Sequence, residues 1–154
     1  MTGRLFILAT LFSLACGGAR SEAPAPQSVN DALTQFMAAV KANDLERMGR
    51  LWGTERGPAV RLMDGKTLQM RLTVIQRYLA HVGYRVIDGP TAPASGNQAL
   101  RTIRIELQRE GCNAVLPIDL VRTRSGGWLV YDVHLESAGN PAARCPPESA
   151  GTPR

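Results

Sequence analysis

The segment "RTIRIELQREGCNAVLPIDLVRT" (101–123) constrains this chain more than any other. Apolar residues recur at every second position on both sides of Glu110-Gly111, the period of a strand with one buried face. A two-residue turn at Glu110-Gly111 sets Ile105 opposite Leu116 and Ile103 opposite Ile118. Next, "RSGG" reads as a four-residue loop into a last strand, which sets Leu120 opposite Tyr131 and Ile118 opposite Val133. Both turns put one apolar set on one face: Ile103, Ile105, Leu107, Leu116, Ile118, Leu120, Leu129, Tyr131, Val133 and Leu135. A slip of one residue would turn such a set to the other side, so the agreement of two turns argues for an antiparallel sheet that needs a cover.

The cover lies upstream. In "SVNDALTQFMAAVKAND", Val29, Leu33, Phe36, Met37 and Val40 form one helical stripe, started by Ser28 with Asp31 in a capping-box-like arrangement. Asn43 or Asp44 caps a short second helix, "DLERMGRLWG", whose apolar side is Leu45, Met48, Leu51 and Trp52 and which Gly53 stops. A loop over 53–66 is expected to hold one short strand near Ala59 to Met63. The third helix runs from about Lys66 to His81 with Leu68, Leu72, Ile75 and Leu79 as its stripe. His81 complements the dipole at its C-terminal end. Strands are expected at Tyr84 to Asp88, Ala99 to Arg109, Asn113 to Thr123 and Trp128 to Glu136. There is no internal repeat.

The ends have a different composition. Arg4 followed by the apolar run Leu5 to Ala15 reads as a secretory leader, too short to cross a bilayer. Within it, "SLACGG" resembles the lipobox of bacterial lipoproteins, with Ala15, Cys16 and Gly17 fitting the pattern and Ser13 standing where that family usually has Leu. The resemblance implies lipid on Cys16; ordinary secretion with another cleavage point is the competing reading. With Cys16 lipidated, Cys112 and Cys145 remain as an even pair in an oxidising compartment. Their bond would close a loop of about 34 residues, for which chain entropy gives roughly 3 to 4 kcal/mol; two unrelated thiols are the alternative. The expected organisation is a leader over 1–15, a lipidated Cys and flexible linker over 16–28, an α+β domain over 29–136 and a Pro/Ala-rich tail over 137–154. An extended linker of about 12 residues reaches roughly 35 Å.

The sequence carries a net charge of +5, mostly as scattered arginines. Export and the lack of a DNA- or RNA-binding motif point away from nucleic acid. There is no Gly-rich phosphate loop, no CxxC pair, no Gly-x-Ser-x-Gly elbow, and no cofactor or metal motif.

"ALTQFMAAVKANDLERMGRLW" and "GGWLVYDVHLE" resemble the opening helix pair and the final strand of the nuclear-transport-factor-2-like (cystatin-like) superfamily, in particular small bacterial lipoproteins of uncharacterised function. The resemblance implies about three N-terminal helices on the concave face of a curved four-stranded antiparallel sheet, a cone whose pocket lies between the two layers. Two residue sets then stand as candidates. Trp52, Glu55, Arg56, Tyr78, Arg101 and Tyr131 are expected at one mouth of the cone, where an arginine would take an anionic group. Arg104, Asp119, Trp128, Asp132 and His134 share the outer face, as a solvated surface or a homodimer contact led by Trp128. Two carboxylates with a histidine suit acid–base chemistry or a metal, but an outer face excludes no water. The expected function is a tethered envelope lipoprotein that binds a small anionic ligand or an envelope protein without catalysis. A small pocket enzyme (isomerase, dehydratase or hydrolase) and a self-associating structural protein are the alternatives. The enzyme would need the last strand slipped by one residue, which would bring Asp132 and His134 inward.

Overall fold

The computed structural model describes residues 24–93 and 96–140. Helix α1, Val29–Lys41, starts where the Ser28 hydroxyl accepts the Asp31 N–H, and it buries Ala32, Leu33, Phe36, Met37, Ala39 and Val40 along one side. Its last turn carries Lys41, whose Nζ donates to the Val82 carbonyl at 2.9 Å and so ties the helix to the start of the sheet. Asn43 takes a left-handed conformation (φ 53°), which few residues other than Gly and Asn accept, and this turns the chain into α2, Leu45–Leu51. Asp44 caps α2 by accepting the Arg47 N–H. Helix α3, Gly65–Leu79, is capped by Asp64, whose hydrogen bonds from Thr67 hold its carboxyl below the usual carboxylate range. Its buried residues, Leu68, Leu72, Ile75 and Leu79, are those its 3.6-residue pattern marks.

Between α2 and α3 the expected short strand is replaced by a hairpin of two-residue strands, β1 (Gly53–Thr54) and β2 (Gly57–Pro58), followed by a 3-10 turn at Ala59–Arg61. Pro58 and Gly57 favour the tight reversal over a longer strand.

The sheet is an antiparallel meander in chain order: β3 Gly83–Thr91, β4 Leu100–Arg109, β5 Cys112–Arg122 and β6 Trp128–Val133. Ile105 faces Leu116 and Ile103 faces Ile118, as the Glu110-Gly111 turn requires, with Gly111 at φ 88°. The three helices cover the inner face, and Ile103, Ile105, Leu107, Leu116, Ile118 and Leu120 are fully buried against them.

The last hairpin departs from the expected register. Ile118 faces Val133 and Asp119 faces Asp132, but Leu120 faces Val130, not Tyr131. Tyr131 is the extra residue of a β-bulge, 44% exposed and no part of the core. The bulge turns Trp128 and Val130 inward, while Leu129 is buried against the hairpin, where Gly53 leaves only 3.0 Å between a would-be Cβ and Leu129 Cδ1. β6 ends at Val133, short of the expected Glu136, and a 3-10 turn, Leu135–Ala138, follows. Arg109 fixes this end: its guanidinium donates to the carbonyls of Ala138 and Tyr78, and burial lowers its pKa.

Candidate functional site

The free edge of β6 is covered, not left open. At one end the Trp128 N–H donates to the Pro26 carbonyl at 2.8 Å; further along, Trp52 bridges to Val130 in parallel fashion. The bulge at Tyr131 removes that residue from the ladder, and the indole Nε1–H of Trp52 takes up its carbonyl at 3.0 Å. Trp52 is therefore fixed at the point where α2 gives way to the hairpin.

Around it lies a cleft of about 460 Å³, lined by Trp52, Gly53, Thr54, Arg56, Ala59, Leu62, Met63, Arg71, Tyr131 and Asp132. Its apolar lining comes from Trp52, Ala59, Leu62 and Met63. Its polar groups are the guanidinium groups of Arg56 and Arg71, the Tyr131 phenol, the Thr54 hydroxyl and the Asp132 carboxylate. Thr54 Oγ1 accepts the Arg56 N–H and sets the loop carrying that arginine. Asp132 Oδ1 accepts the N–H of Val133. Such a cleft suits a small molecule with an apolar body and an anionic end.

Of the six residues expected at the mouth, the structure brings together Trp52, Arg56 and Tyr131. Glu55 is drawn off by Arg124 at 2.9 Å. Tyr78 packs its ring on the core. Arg101 sits over the Trp128 ring at 6.0 Å and donates to the Gln98 and Leu100 carbonyls, because the bulge brings Trp128, not Tyr131, to its side of the sheet. Arg71, Leu62 and Met63 were outside the expected set. They come from α3 and the 3-10 region, and no local pattern marks an exposed helical arginine as facing a cleft 60 residues away in sequence from Tyr131.

The outer-face set divides. Trp128 is turned inward and packs against the core, which removes it as leader of a dimer contact. Arg104 pairs with Asp88 at 2.7 Å, not with the Asp119 and Asp132 side chains. Asp119 accepts from the Thr102 hydroxyl at 2.6 Å and meets His134 Nε2 at 3.1 Å, while His134 Nδ1 meets Glu136 at 3.2 Å. With a carboxylate at each ring nitrogen, the His134 pKa is raised, first through Asp119, against a lowering by burial, and further through Glu136. Asp132 keeps its register beside Asp119 and reaches the cleft wall; His134 does not. His81 Nδ1 meets the Leu79 carbonyl at 2.7 Å, and its ring lies edge-on to Tyr84. Cys112 opens β5; Cys16 and Cys145 lie outside the described residues.

Among the described residues no three His, Cys, Asp or Glu side chains converge as a metal set, and no helix is long and apolar enough to cross a membrane. No known family profile and no curated protein matches the sequence. A crystal structure of an NTF-2-like protein of unknown function from Shewanella oneidensis MR-1 is similar over 68% of this chain and 96% of that one, at 14% identity and a TM-score of 0.38. A likeness of that size assigns no activity; the three-helix, four-strand α+β architecture stands on the elements described above.

Proposed function

We propose that this chain is a binding module whose cleft beside Trp52 takes a small organic anion with an apolar body. The observation that carries the reading is that Arg56 and Arg71 line one cleft together with apolar side chains, beside the Trp52–Tyr131 hydrogen bond. Binding is favoured over catalysis because, among the described residues, Asp132 is the carboxylate that lines the cleft and no histidine lines it as a partner. Two guanidinium groups against that carboxylate leave the walls net cationic, which matches an anionic end group.

The test uses 8-anilinonaphthalene-1-sulfonate, an aromatic sulfonate, as probe, and octanoate as competitor. Saturable fluorescence displaced by octanoate is expected, with Arg56→Ala and Arg71→Ala each weakening binding roughly tenfold. Equal affinity in both variants would contradict the cleft as the site.

The tether belongs to the same proposal. Lipid on Cys16 would hold the domain at an envelope membrane, the outer one if the cell is Gram-negative, with Cys112 and Cys145 oxidised. The support is the lipobox-like "SLACGG" and the cysteine count. Intact-mass spectrometry of the processed protein is expected to give a chain beginning at Cys16 with added acyl mass and a two-hydrogen gain on reduction. An unlipidated chain cut elsewhere would remove the anchor without touching the cleft.

A further inference from the structure

Helix α3 has two sides of different chemistry. Leu68, Leu72, Ile75 and Leu79 seal its inner side, while Lys66, Met70, Val74 and Arg77 run along the opposite side at i, i+4, i+8 and i+11. That spacing keeps the four on one narrow stripe about 16 Å long, with a cation at each end and two apolar side chains between them. All four are exposed, Met70 to 56% and Val74 to 49%. The helix contains no Asp or Glu, and the Asp64 carboxylate at its start is engaged by the Thr67 N–H. Among the described residues no carboxylate pairs with Lys66 or Arg77. Helix α1 makes the contrast. Its exposed positions are Asn30, Asp31, Thr34, Ala38 and Lys41, with both signs of charge and no large apolar side chain.

A single exposed apolar side chain is ordinary. An apolar pair bracketed by cations along one helical line is what a surface helix needs to lie on anionic lipid. The long stems of Lys66 and Arg77 let their charges stay at the level of the phosphates while the side chains between them enter the acyl boundary. A folded protein partner fits the stripe less well. The convex back of a helix offers no free backbone donors or acceptors, and two apolar side chains give far less area than a stable protein interface buries. We infer that the outer stripe of α3 docks on an anionic phospholipid bilayer, with Met70 and Val74 at the acyl boundary and Lys66 and Arg77 on the phosphates. The inference is independent of the cleft beside Trp52. It also stands whether or not Cys16 carries lipid, since the stripe itself supplies the recognition.

The probe is a phosphatidylcholine bicelle, with or without phosphatidylglycerol, doped with a lipid that bears a nitroxide on its acyl chain. The full chain is labelled at its methionine methyls, and the Met70 signal is assigned by its loss in Met70→Leu. With phosphatidylglycerol present the Met70 methyl is expected to relax at least roughly threefold faster than without it, while the methyl of the buried Met48 changes little. Any hold on lipid through Cys16 acts on both bicelles alike, so the difference between them reads α3. Arg77→Gln is expected to remove most of the enhancement. Arg122→Gln, which takes the same charge from an exposed position on β5, is expected to leave it. Equal relaxation on both bicelles, or an equal loss in Arg122→Gln, overturns the inference. So does a Met70 signal that shifts with protein concentration and is unmoved by lipid, which gives the stripe to a second copy of the chain. Both arginines are exposed, and far-UV melts of their variants matching the parent keep loss of contact separate from loss of fold.

Discussion

Gly49 shows how one hydrogen in place of a methyl sets a helix crossing. It lies buried on α2, where a Cβ would come within 2.8 Å of Val60 Cγ1 and 3.3 Å of Leu68 Cδ2 and Leu72 Cδ1. Alanine raises helix propensity by roughly 1 kcal/mol, but overpacking at such contacts costs about 1–3 kcal/mol. Gly49→Ala is therefore expected to destabilise the fold by about 1 kcal/mol net, read as a lower urea midpoint, and Val60→Ala to restore part of the loss. His134 is the other informative residue. Its pKa is raised above 6.5 in the fold, so its stabilisation is complete below that value and is lost as pH rises through the higher folded value. The side chain is one-third exposed, which holds the effect under about 1 kcal/mol. The stability difference between the parent and His134→Gln should grow from pH 8 to pH 6; a difference flat with pH would mean the Asp119 and Glu136 contacts carry no charge.

At the scale of elements, the bulge in β6 does most to shape the site. It releases the Tyr131 carbonyl, which the Trp52 indole N–H reaches. Trp52→Phe keeps an aromatic ring but loses the indole N–H and its fused second ring, and is expected to cost about 1–2 kcal/mol in urea unfolding. The β4–β5 register was legible because the Glu110-Gly111 turn and strict alternation agree. The bulge was not, because "WLVY" is apolar at both parities and satisfies either phase until Asp132. The same ambiguity misplaced Trp128 and Tyr131. The three helices were legible, and so were the caps of the first two, since Ser28 and Asp44 act within three residues of themselves; the Asp64 cap of α3 was not marked. The positions of Arg71 at the cleft and of Arg109 on its two carbonyls were not legible, because both are set by tertiary packing.

The whole molecule is a helix-covered sheet whose outer strand edge is closed by the hairpin at one point and by the entering chain at another. The cleft beside Trp52 sits along that closed edge. The proposed binding in that cleft is expected to involve Trp52, whose indole N–H is a reporter already in place. The direct measurement is a titration of the full chain with octanoate, following the Trp52 indole resonance, assigned by its loss in Trp52→Phe. A saturable shift of that resonance, weakened at least tenfold in Arg71→Ala, is the result this account predicts. Saturation of other resonances with the Trp52 indole unmoved would contradict it and place the ligand elsewhere.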